Sequence, residues 1–296
     1  MSTVRIGNRL VGPDQPCFII GEIGINHNGS LDLTRKLIDM AKNAGCDAVK
    51  FQKRTVDVVY TAEELAKPRE TPFGSTNGDL KRALEFGKKE YDEIDKYCNK
   101  VDIPWFASPW DEASVDFLEQ YDPPCYKIAS ACLTDDGLIS YVRSKGRPII
   151  LSTGMSNMNM INHAVDILGK NDLVILHCTS VYPKVTSDGL ENLSMVNLEV
   201  IKEFRKLFNP VPIGYSSHLS GIMPVYAAAA KGACMVESHI TLERALWGSD
   251  QASSLEPQQL INLCRMIREL KVAEGDGVKR IYPAEIEVMK KLRRKG

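Results

Sequence analysis

Short runs of consecutive apolar residues alternate with helix-like segments along almost the whole chain. Eight runs have the length and composition of strands: CFIIGEIG (17–24), CDAVKFQ (46–52), PWFASP (104–109), CYKIAS (125–130), PIILSTG (148–154), LVILHCT (173–179), VPIGYS (211–216) and ACMVESH (233–239). Successive residues are apolar, rather than every second one, which is typical of parallel strands buried on both faces. The pattern predicts a parallel sheet covered by helices.

The segments between these runs have the features of amphipathic helices. Ser30 is placed to cap a helix that Gly45 ends, and Pro257 opens the last helix of the series. Eight strand-then-helix units favour the α/β class and a closed (β/α)8 TIM barrel. An open doubly wound sheet is the alternative, but no Gly-rich dinucleotide fingerprint follows the first strand.

Three segments lie outside the repeat, although we interpret residues 1–296 as a single barrel domain. Residues 3–12 predict a hairpin that plugs the amino-terminal end of the barrel. Residues 53–87 are too long for a simple strand-to-helix connection, so we expect a loop folded over the mouth, with a short helix at Ala62–Ala66. Residues 276–296 predict a basic, solvated helical tail.

Charge and cysteine usage narrow the function classes. The net charge is −1, from 37 basic and 38 acidic residues, which provides no electrostatic footprint for nucleic acid or an anionic membrane. The 8 cysteines are scattered without a CxxC pair, as expected for free thiols in a reducing compartment. No apolar run reaches the roughly 20 residues of a membrane span. A cytoplasmic protein without nucleic-acid or membrane partners is expected.

Polar side chains lie at the carboxyl ends of all eight predicted strands, where barrel enzymes carry their reactive groups. In chain order they are Glu22, Asn26, His27, Lys50, Gln52, Ser108, Lys127, Ser130, Ser152, Thr153, His177, Thr179, Ser180, Tyr182, Ser216, Ser217, His218, Glu237 and His239. Buried charges cost several kcal/mol unless they are paired, so core packing alone does not explain the set. Taken singly, His177, Asn26 and Thr153 favour structural roles, and His163 is expected at the surface.

Two histidines follow adjacent predicted strands and can converge on one divalent cation. They are His218 and His239, and their polar neighbours are the carboxylates Glu22 and Glu237 rather than cysteines. Oxygen-rich surroundings favour a water-completed Mn²⁺ site over a closed structural zinc site, with Mg²⁺ or Co²⁺ as alternatives.

Lysines and serines from four predicted strands form a second group. Lys50, Lys127, Ser130, Ser152 and Ser216 make a basic, hydroxyl-rich cradle suited to a small phosphorylated anion. A Lewis acid beside such a cradle indicates a carbonyl that is polarised by metal and attacked by a phosphate-bearing partner.

Six motifs, in order, resemble the sialic acid synthase family: EIGINHNG, AVKFQ, YKIAS, LSTGM, YSSHLSG and ESHITLER…SDQASSLEP. The resemblance extends from about residue 3 to residue 290. Members of this family are barrel enzymes that condense phosphoenolpyruvate with an N-acetylmannosamine-type aldehyde. The products are a nine-carbon ulosonic acid and phosphate.

The resemblance implies a role for each matching residue. His218 and His239 match the metal-binding histidines, and Lys50, Lys127, Ser130, Ser152 and Ser216 match the phosphoenolpyruvate contacts. Glu22, Gln52, Tyr182 and Asp250 match positions that hold the sugar acceptor, and Ser108 and Ser180 complete the substrate-binding set. Glu22, Glu237 and His239 are the expected catalytic residues, with the two carboxylates available for proton transfer or water orientation.

Three departures from the family pattern all concern the part of the site that holds the sugar acceptor. The usual member continues into an antifreeze-like domain that supplies an arginine to the partner subunit, whereas this chain stops at LRRKG. Ser180 replaces a common Asn, and ASPW places Trp110 near the mouth, beside an atypical loop KRTVDVVYTAEEL. We therefore expect phosphoenolpyruvate to be retained as the donor. The acceptor is N-acetylmannosamine or a related aldose, and the departures favour an acceptor other than N-acetylmannosamine. A homo-oligomer is compatible with the chain.

The sequence gives less support to three other functions. A deoxyoctulosonate or deoxyheptulosonate phosphate synthase needs a second phosphate site, which Lys53 and Arg54 could offer, although a surface charge run explains them equally well. A metal-dependent hydrolase usually has an HxH pair after the first strand, where this chain has NHN. A silent binding barrel is disfavoured by the intact lysine–serine cradle and both histidines.

Overall fold

The computed structural model describes residues 2–181 and 193–295. Its strands are β1 (Val4–Ile6), β2 (Arg9–Val11), β3 (Phe18–Glu22), β4 (Ala48–Lys53), β5 (Pro68–Thr71), β6 (Gly74–Thr76), β7 (Trp105–Pro109), β8 (Tyr126–Ile128), β9 (Ile149–Ser152), β10 (Leu173–Cys178), β11 (Ile213–Ser217) and β12 (Met235–His239). Eight of them form one parallel sheet in the order β7-β4-β3-β12-β11-β10-β9-β8. The two outer strands, β7 and β8, lie side by side and bring the sheet nearly to closure. The predicted (β/α)8 barrel is confirmed.

Helices follow the barrel strands along the chain, and most of them cover the outside of the sheet. They are α1 (Leu31–Ala44), α2 (Val56–Val59), α3 (Ala62–Ala66), α4 (Asn77–Leu84), α5 (Lys88–Val101), α6 (Glu112–Glu119), α7 (Asp136–Ser144), α8 (Met158–Leu168), α9 (Glu199–Leu207), α10 (Ile222–Ala230), α11 (Pro257–Glu274) and α12 (Pro283–Leu292). Ser30 caps α1 by accepting from the Leu33 amide, and Gly45 ends it at φ 93°. None of the helices in the described residues is long and apolar enough to cross a bilayer.

The period-two alternation of the strands separates an inner from an outer apolar cluster. On β3, Phe18 and Ile20 belong to a cluster inside the barrel, whereas Ile19 belongs to the larger cluster beneath the helices. Interior side chains are apolar in the lower half of the barrel, which explains why these strands read as continuous apolar runs.

A hairpin closes the amino-terminal end of the barrel. β1 pairs antiparallel with β2, with Val4 opposite Val11. Val4, Ile6 and Val11 are buried in the interior cluster together with Phe18 of β3. The hairpin therefore seals the lower end of the barrel with apolar side chains.

The segment between β4 and α5 is folded rather than irregular. Along the chain it contains α2, α3, the antiparallel pair β5–β6 and α4. The helix expected at Ala62–Ala66 is present with those bounds. Glu85 ties the end of this segment to β4, because its carboxylate lies 2.6 Å from Lys53 Nζ and accepts from the Arg54 amide at 3.1 Å.

All eight cysteines are free, and every one except Cys17 is buried. This agrees with the expectation of unpaired thiols. At the other end of the chain, α12 has no buried residue.

Candidate active site

A cavity of about 150 Å³ opens at the carboxyl ends of the barrel strands. It is lined by Glu22, Lys50, Gln52, Ser108, Trp110, Lys127, Ala129, Ser130, Ala131, Ser152, Met155, Ser180, Ser216, His218, Glu237 and His239. Every site residue predicted from the sequence lines this cavity except Asp250 and Tyr182. Tyr182 lies outside the described residues.

Strand alternation explains why these side chains meet. Glu22 is in phase with the interior residues Phe18 and Ile20, and Glu237 and His239 are in phase with the interior residue Met235. Residues two apart on a strand point to the same side of the sheet. The side chains inside the barrel are therefore apolar at its lower end and ionisable at its mouth.

Two buried lysines and two buried carboxylates form the floor of the cavity. Lys50 Nζ lies 2.8 Å from Glu22 Oε2 and 3.7 Å from Glu237 Oε1. Lys127 Nζ donates to Glu237 Oε1 at 3.0 Å, and the Ser216 hydroxyl donates to the same oxygen at 3.1 Å. Each buried charge is thus matched by an opposite charge, which offsets the cost of desolvation.

The network shifts the pKa values of its members in different directions. Burial opposes the charge on Lys50, but Glu22 and Glu237 outweigh it and raise the pKa of that ammonium. Burial, with repulsion from Lys50, lowers the pKa of Lys127 despite Glu237. Burial also opposes the charge on Glu237, yet Lys127 and Lys50 lower its pKa to about 2. Glu237 is therefore a carboxylate throughout the physiological range.

Hydroxyl groups line the wall next to Lys127. Ser130 Oγ accepts a hydrogen bond from the Gly154 amide at 3.0 Å. Ser152 Oγ is buried and has no hydrogen-bond partner among the described residues. A β-carbon on Gly154 would lie 2.1 Å from Ser180 Oγ and 2.7 Å from Ser130 Oγ, so only glycine leaves these hydroxyls in place. A buried, unsatisfied hydroxyl facing a cavity is suited to bind a polar ligand.

The imidazoles of His218 and His239 lie side by side, with ring centroids 5.4 Å apart and an interplanar angle of 30°. Burial, with repulsion from His239, lowers the pKa of His218 to about 4. His218 is therefore neutral at physiological pH, the state in which imidazole binds metal. His239 Nδ1 is buried without a hydrogen-bond partner in the described part of the chain.

Within residues 2–181 and 193–295, no group of three or more His, Cys, Asp and Glu side chains is arranged as a metal site. The histidine pair offers at most two protein ligands. This fits an open cation site completed by water and substrate, and it does not fit a closed structural one.

Asp250 lies close to the cavity without lining it. It is buried, and its charge favours the protonated form of His218. The Ser249 hydroxyl donates to Asp250 Oδ1 at 2.9 Å.

The residues expected to be structural have structural contacts. His177 points to the helix side of β10, where its Nε2 donates to the Val196 carbonyl at 2.8 Å. The Asn26 amide donates to the Ile240 carbonyl at 2.9 Å, and the Thr153 hydroxyl donates to the Leu176 carbonyl at 2.9 Å. His163 is exposed beside Asp136, as expected.

The interpretation of Lys53 and Arg54 as a run of surface charges is wrong. Their side chains are only 12% and 8% exposed, and both lie against Glu85. Arg54 contacts Gln52 and Trp110, two residues of the cavity wall. The period-two series Lys50, Gln52, Arg54 was the sequence signal for this placement.

A larger cavity, of about 340 Å³, lies at the opposite end of the barrel, between the residues that precede β3, β11 and β12. It contains none of the predicted site residues. Since reactive groups in barrel enzymes lie at the carboxyl ends of the strands, the smaller cavity is the candidate active site.

The sequence of this chain is similar to those of known proteins. A model described as the NeuB family matches residues 37–279. N-acetylneuraminate-9-phosphate synthase of Homo sapiens is 39% identical over 288 residues, covering 96% of this chain and 78% of that protein. N,N'-diacetyllegionaminic acid synthase of Legionella pneumophila is 33% identical over 293 residues, covering 96% of this chain and 80% of that protein.

A solved structure resembles the whole chain. The N-acetylneuraminic acid (sialic acid) synthetase of Leptospira borgpetersenii, crystallised with citrate, matches with a TM-score of 0.82 and 31% identity. The match covers 99% of this chain and 98% of that one.

The fold and the relatives together define a barrel enzyme that forms a carbon–carbon bond in the synthesis of an ulosonic acid. The chain belongs to the NeuB family.

Proposed function

We propose that this enzyme condenses phosphoenolpyruvate with a sugar aldehyde, giving a 3-deoxy-ulosonic acid of the sialic type and phosphate. The observation that carries the proposal is the placement of two buried ammonium groups, an unsatisfied serine hydroxyl and two neighbouring imidazoles around one small cavity. The lysines and hydroxyls suit the phosphate and carboxylate of the donor, and the imidazoles mark the place of the aldehyde.

The reaction joins C3 of phosphoenolpyruvate to the aldehyde carbon, whose oxygen gains the electron pair of the carbonyl bond. Positive charge then develops at C2, water adds there, and the bond between C2 and the phosphate oxygen breaks. Phosphate leaves with that oxygen. We assign Lys50 and Lys127, with Ser130, Ser152 and Ser216, to binding the donor.

The carboxylates and the acceptor residues complete the assignment. Glu237 is ionised and lines the cavity, and its Oε2 has no hydrogen-bond partner among the described residues, so we assign it to orienting the water that adds at C2. Glu22, Gln52, Ser108, Ser180, Tyr182 and Asp250 are assigned to the acceptor side. Positioning and electrostatic stabilisation carry most of the rate in this scheme.

His218 and His239 would hold a divalent cation, with Mn²⁺ preferred over Mg²⁺ or Co²⁺. When bound, the cation supplies Lewis-acid stabilisation of the negative charge that develops on the aldehyde oxygen. The neutral state of His218 and the unpartnered Nδ1 of His239 support this assignment. Free thiols and a near-neutral net charge support a cytoplasmic location without nucleic-acid partners.

The acceptor is N-acetylmannosamine or a related aldose, and a phosphorylated aldose is the second candidate. The name of the human relative, a 9-phosphate synthase, favours the phosphorylated acceptor. The pairing of Lys53 and Arg54 with Glu85 counts against a phosphate site at these two residues.

A phosphate-release assay tests the proposal, with phosphoenolpyruvate held constant and a panel of aldoses and their phosphate esters as acceptors. We expect phosphate release that depends on the acceptor and a product whose mass equals acceptor plus pyruvate. A matched pair of free and phosphorylated N-acetylmannosamine separates the two acceptor candidates. Absence of acceptor-dependent release with every aldose would refute the proposed function.

A further inference from the structure

Arg54 lies directly behind two residues that line the acceptor side of the cavity. Its Nη2 donates to Gln52 Oε1, and its Nη1 donates to the Tyr60 hydroxyl at 2.7 Å. The guanidinium carbon lies 4.5 Å from the centroid of the Trp110 ring. Arg54 itself is 7% exposed and does not line the cavity, so any effect on substrate passes through its neighbours.

The contact with Gln52 selects one orientation of its amide group. Gln52 Nε2 donates to Glu22 Oε1 at 2.9 Å, while Gln52 Oε1 accepts from Arg54. A guanidinium only donates and a carboxylate only accepts, so both contacts of the amide are hydrogen bonds in this orientation alone. Arg54 therefore fixes the way in which Gln52 presents its polar atoms to the cavity and holds Glu22.

The contact with Trp110 orients the second residue. A guanidinium that stacks on an indole restricts the tilt of the ring and is attracted to its face. Trp110 Nε1 is buried and has no hydrogen-bond partner among the described residues, so no other polar contact of that atom holds the ring. Lysine carries the same charge but has no planar group to stack.

We propose that Arg54 is a positioning residue for the sugar acceptor, acting through the amide of Gln52 and the indole of Trp110. This inference rests on the proposed function, because it concerns the acceptor half of the same site. It also accounts for a buried arginine whose charge faces Glu85 at 3.6 Å instead of a substrate phosphate.

The test is steady-state kinetics of Arg54→Gln and Arg54→Lys with each substrate varied in turn. We expect Arg54→Gln to raise the acceptor KM by roughly tenfold or more, because a charge-assisted hydrogen bond and a stacking contact are lost. The phosphoenolpyruvate KM should stay within about twofold, because the lysines that we assign to the donor are untouched. Arg54→Lys should be intermediate, because it keeps one donor and loses the stack.

Two further variants complete the experiment. Arg82→Gln is the matched control, since Arg82 lies in α4 and its ion pair with Asp57 is exposed. Measured against Gln52→Leu alone, adding Arg54→Gln should raise the acceptor KM by less than Arg54→Gln raises it in the wild type, because the amide contact is already absent and only the contact with Trp110 is lost.

The possible outcomes distinguish a failure of the positioning role of Arg54 from a failure of the proposed function. Equal rises in both KM values, or an acceptor KM unchanged in Arg54→Gln, would overturn the positioning role while leaving the proposed function intact. If Arg54→Gln does not fold, Arg54→Lys gives the same comparison. A wild-type enzyme without acceptor-dependent turnover overturns both.

Discussion

At the scale of single residues, the position of a side chain within the strand alternation decides whether it serves the site or the scaffold. Cys178 is in phase with the interior residue Leu176 and contacts His218 Nε2 at 3.8 Å. Its neighbour His177 is one residue out of phase and packs against Phe204 beneath the helices. Counting by two from interior apolar residues thus places His239 inside the barrel, in phase with Met235, and His177 outside it, out of phase with Leu176.

The first prediction concerns the histidine pair. Substituting His218 or His239 by Ala should abolish metal-stimulated turnover and weaken Mn²⁺ binding by at least about tenfold, because an open site depends on each of its few protein ligands. Calorimetric titration of Mn²⁺ measures the binding without relying on activity.

His163→Ala is the matched control, because this histidine is exposed and contacts Asp136 on the helical surface. It should retain full metal binding and turnover. Retention of most metal-stimulated activity in His218→Ala or His239→Ala would show that the ligand assignment is wrong.

At the scale of elements, the sequence was most informative for strands that are buried on both faces. Strands such as β3 and β10 have every residue buried, so an apolar run identifies them directly. β5 and β6 escaped detection because they are short and largely exposed, and their residues are mostly polar. The helix Ala62–Ala66 was found from composition, whereas pairing of β5 with β6 depends on contacts that local pattern does not encode.

The contacts of Arg54 show a second limit of prediction from sequence. Its neighbours Lys53 and Glu85 are separated by the whole mouth segment, so charge pairing between them becomes visible only in three dimensions. Asp250 was placed in the site by resemblance alone, and the structure places it close to the cavity but outside its lining. Sequence patterns located the end of each strand, and tertiary contacts decided what each residue there touches.

The second prediction concerns how elements are joined at the lower end of the barrel. The Asp47 side chain is only 4% exposed and accepts from the Ile19 amide at 2.8 Å and from Arg268 of α11 at 2.6 Å. It also forms an ion pair with Arg9 of β2 at 2.9 Å. Asp47→Asn should lower the free energy of unfolding by about 2 kcal/mol, because hydrogen bonds to a charged group are lost.

Urea unfolding at neutral pH measures this change. Asp32→Asn provides the comparison, since Asp32 forms an exposed pair with Arg35 on α1 and should shift stability by less than about 0.5 kcal/mol. Equal effects of the two substitutions would contradict the anchoring role of Asp47.

At the scale of the whole molecule, the buried charge network joins opposite sides of the barrel. Glu22, Lys50, Lys127 and Glu237 come from β3, β4, β8 and β12, and β8 is an outer strand in the ladder order. The contacts of Glu237 with Lys127 and Lys50 connect β12 to β8 and β4, strands that no backbone ladder joins to β12. The pair of Lys50 with Glu22 connects β4 to β3, which are neighbours in the sheet. Under the proposed function, the same four side chains contribute to both stability and catalysis or substrate binding.

The third prediction follows from the lowered pKa of Glu237. Because its pKa falls from 4.5 to about 2 on folding, its contribution to stability is complete above pH 4.5 and is lost as the pH falls towards 2. Glu237→Gln should lower the unfolding free energy at pH 7 by roughly 3 kcal/mol, since it leaves a buried ammonium uncompensated.

Denaturant titrations from pH 7 down to pH 3 test this, with Glu199→Gln as the control for an exposed carboxylate paired with Lys231. The difference between wild type and Glu237→Gln should shrink as the pH falls. A difference that stays constant over this range would show that the carboxylate charge is not what stabilises the barrel.

The alternation inside the barrel has an evolutionary consequence. Inserting or deleting one residue within a strand such as β12 would turn Glu237 and His239 outward against the helices and bring their neighbours inward. A single insertion or deletion would therefore destroy both stability and reactivity. Length changes in descendants of this protein should accumulate in the loops and be absent from the eight barrel strands.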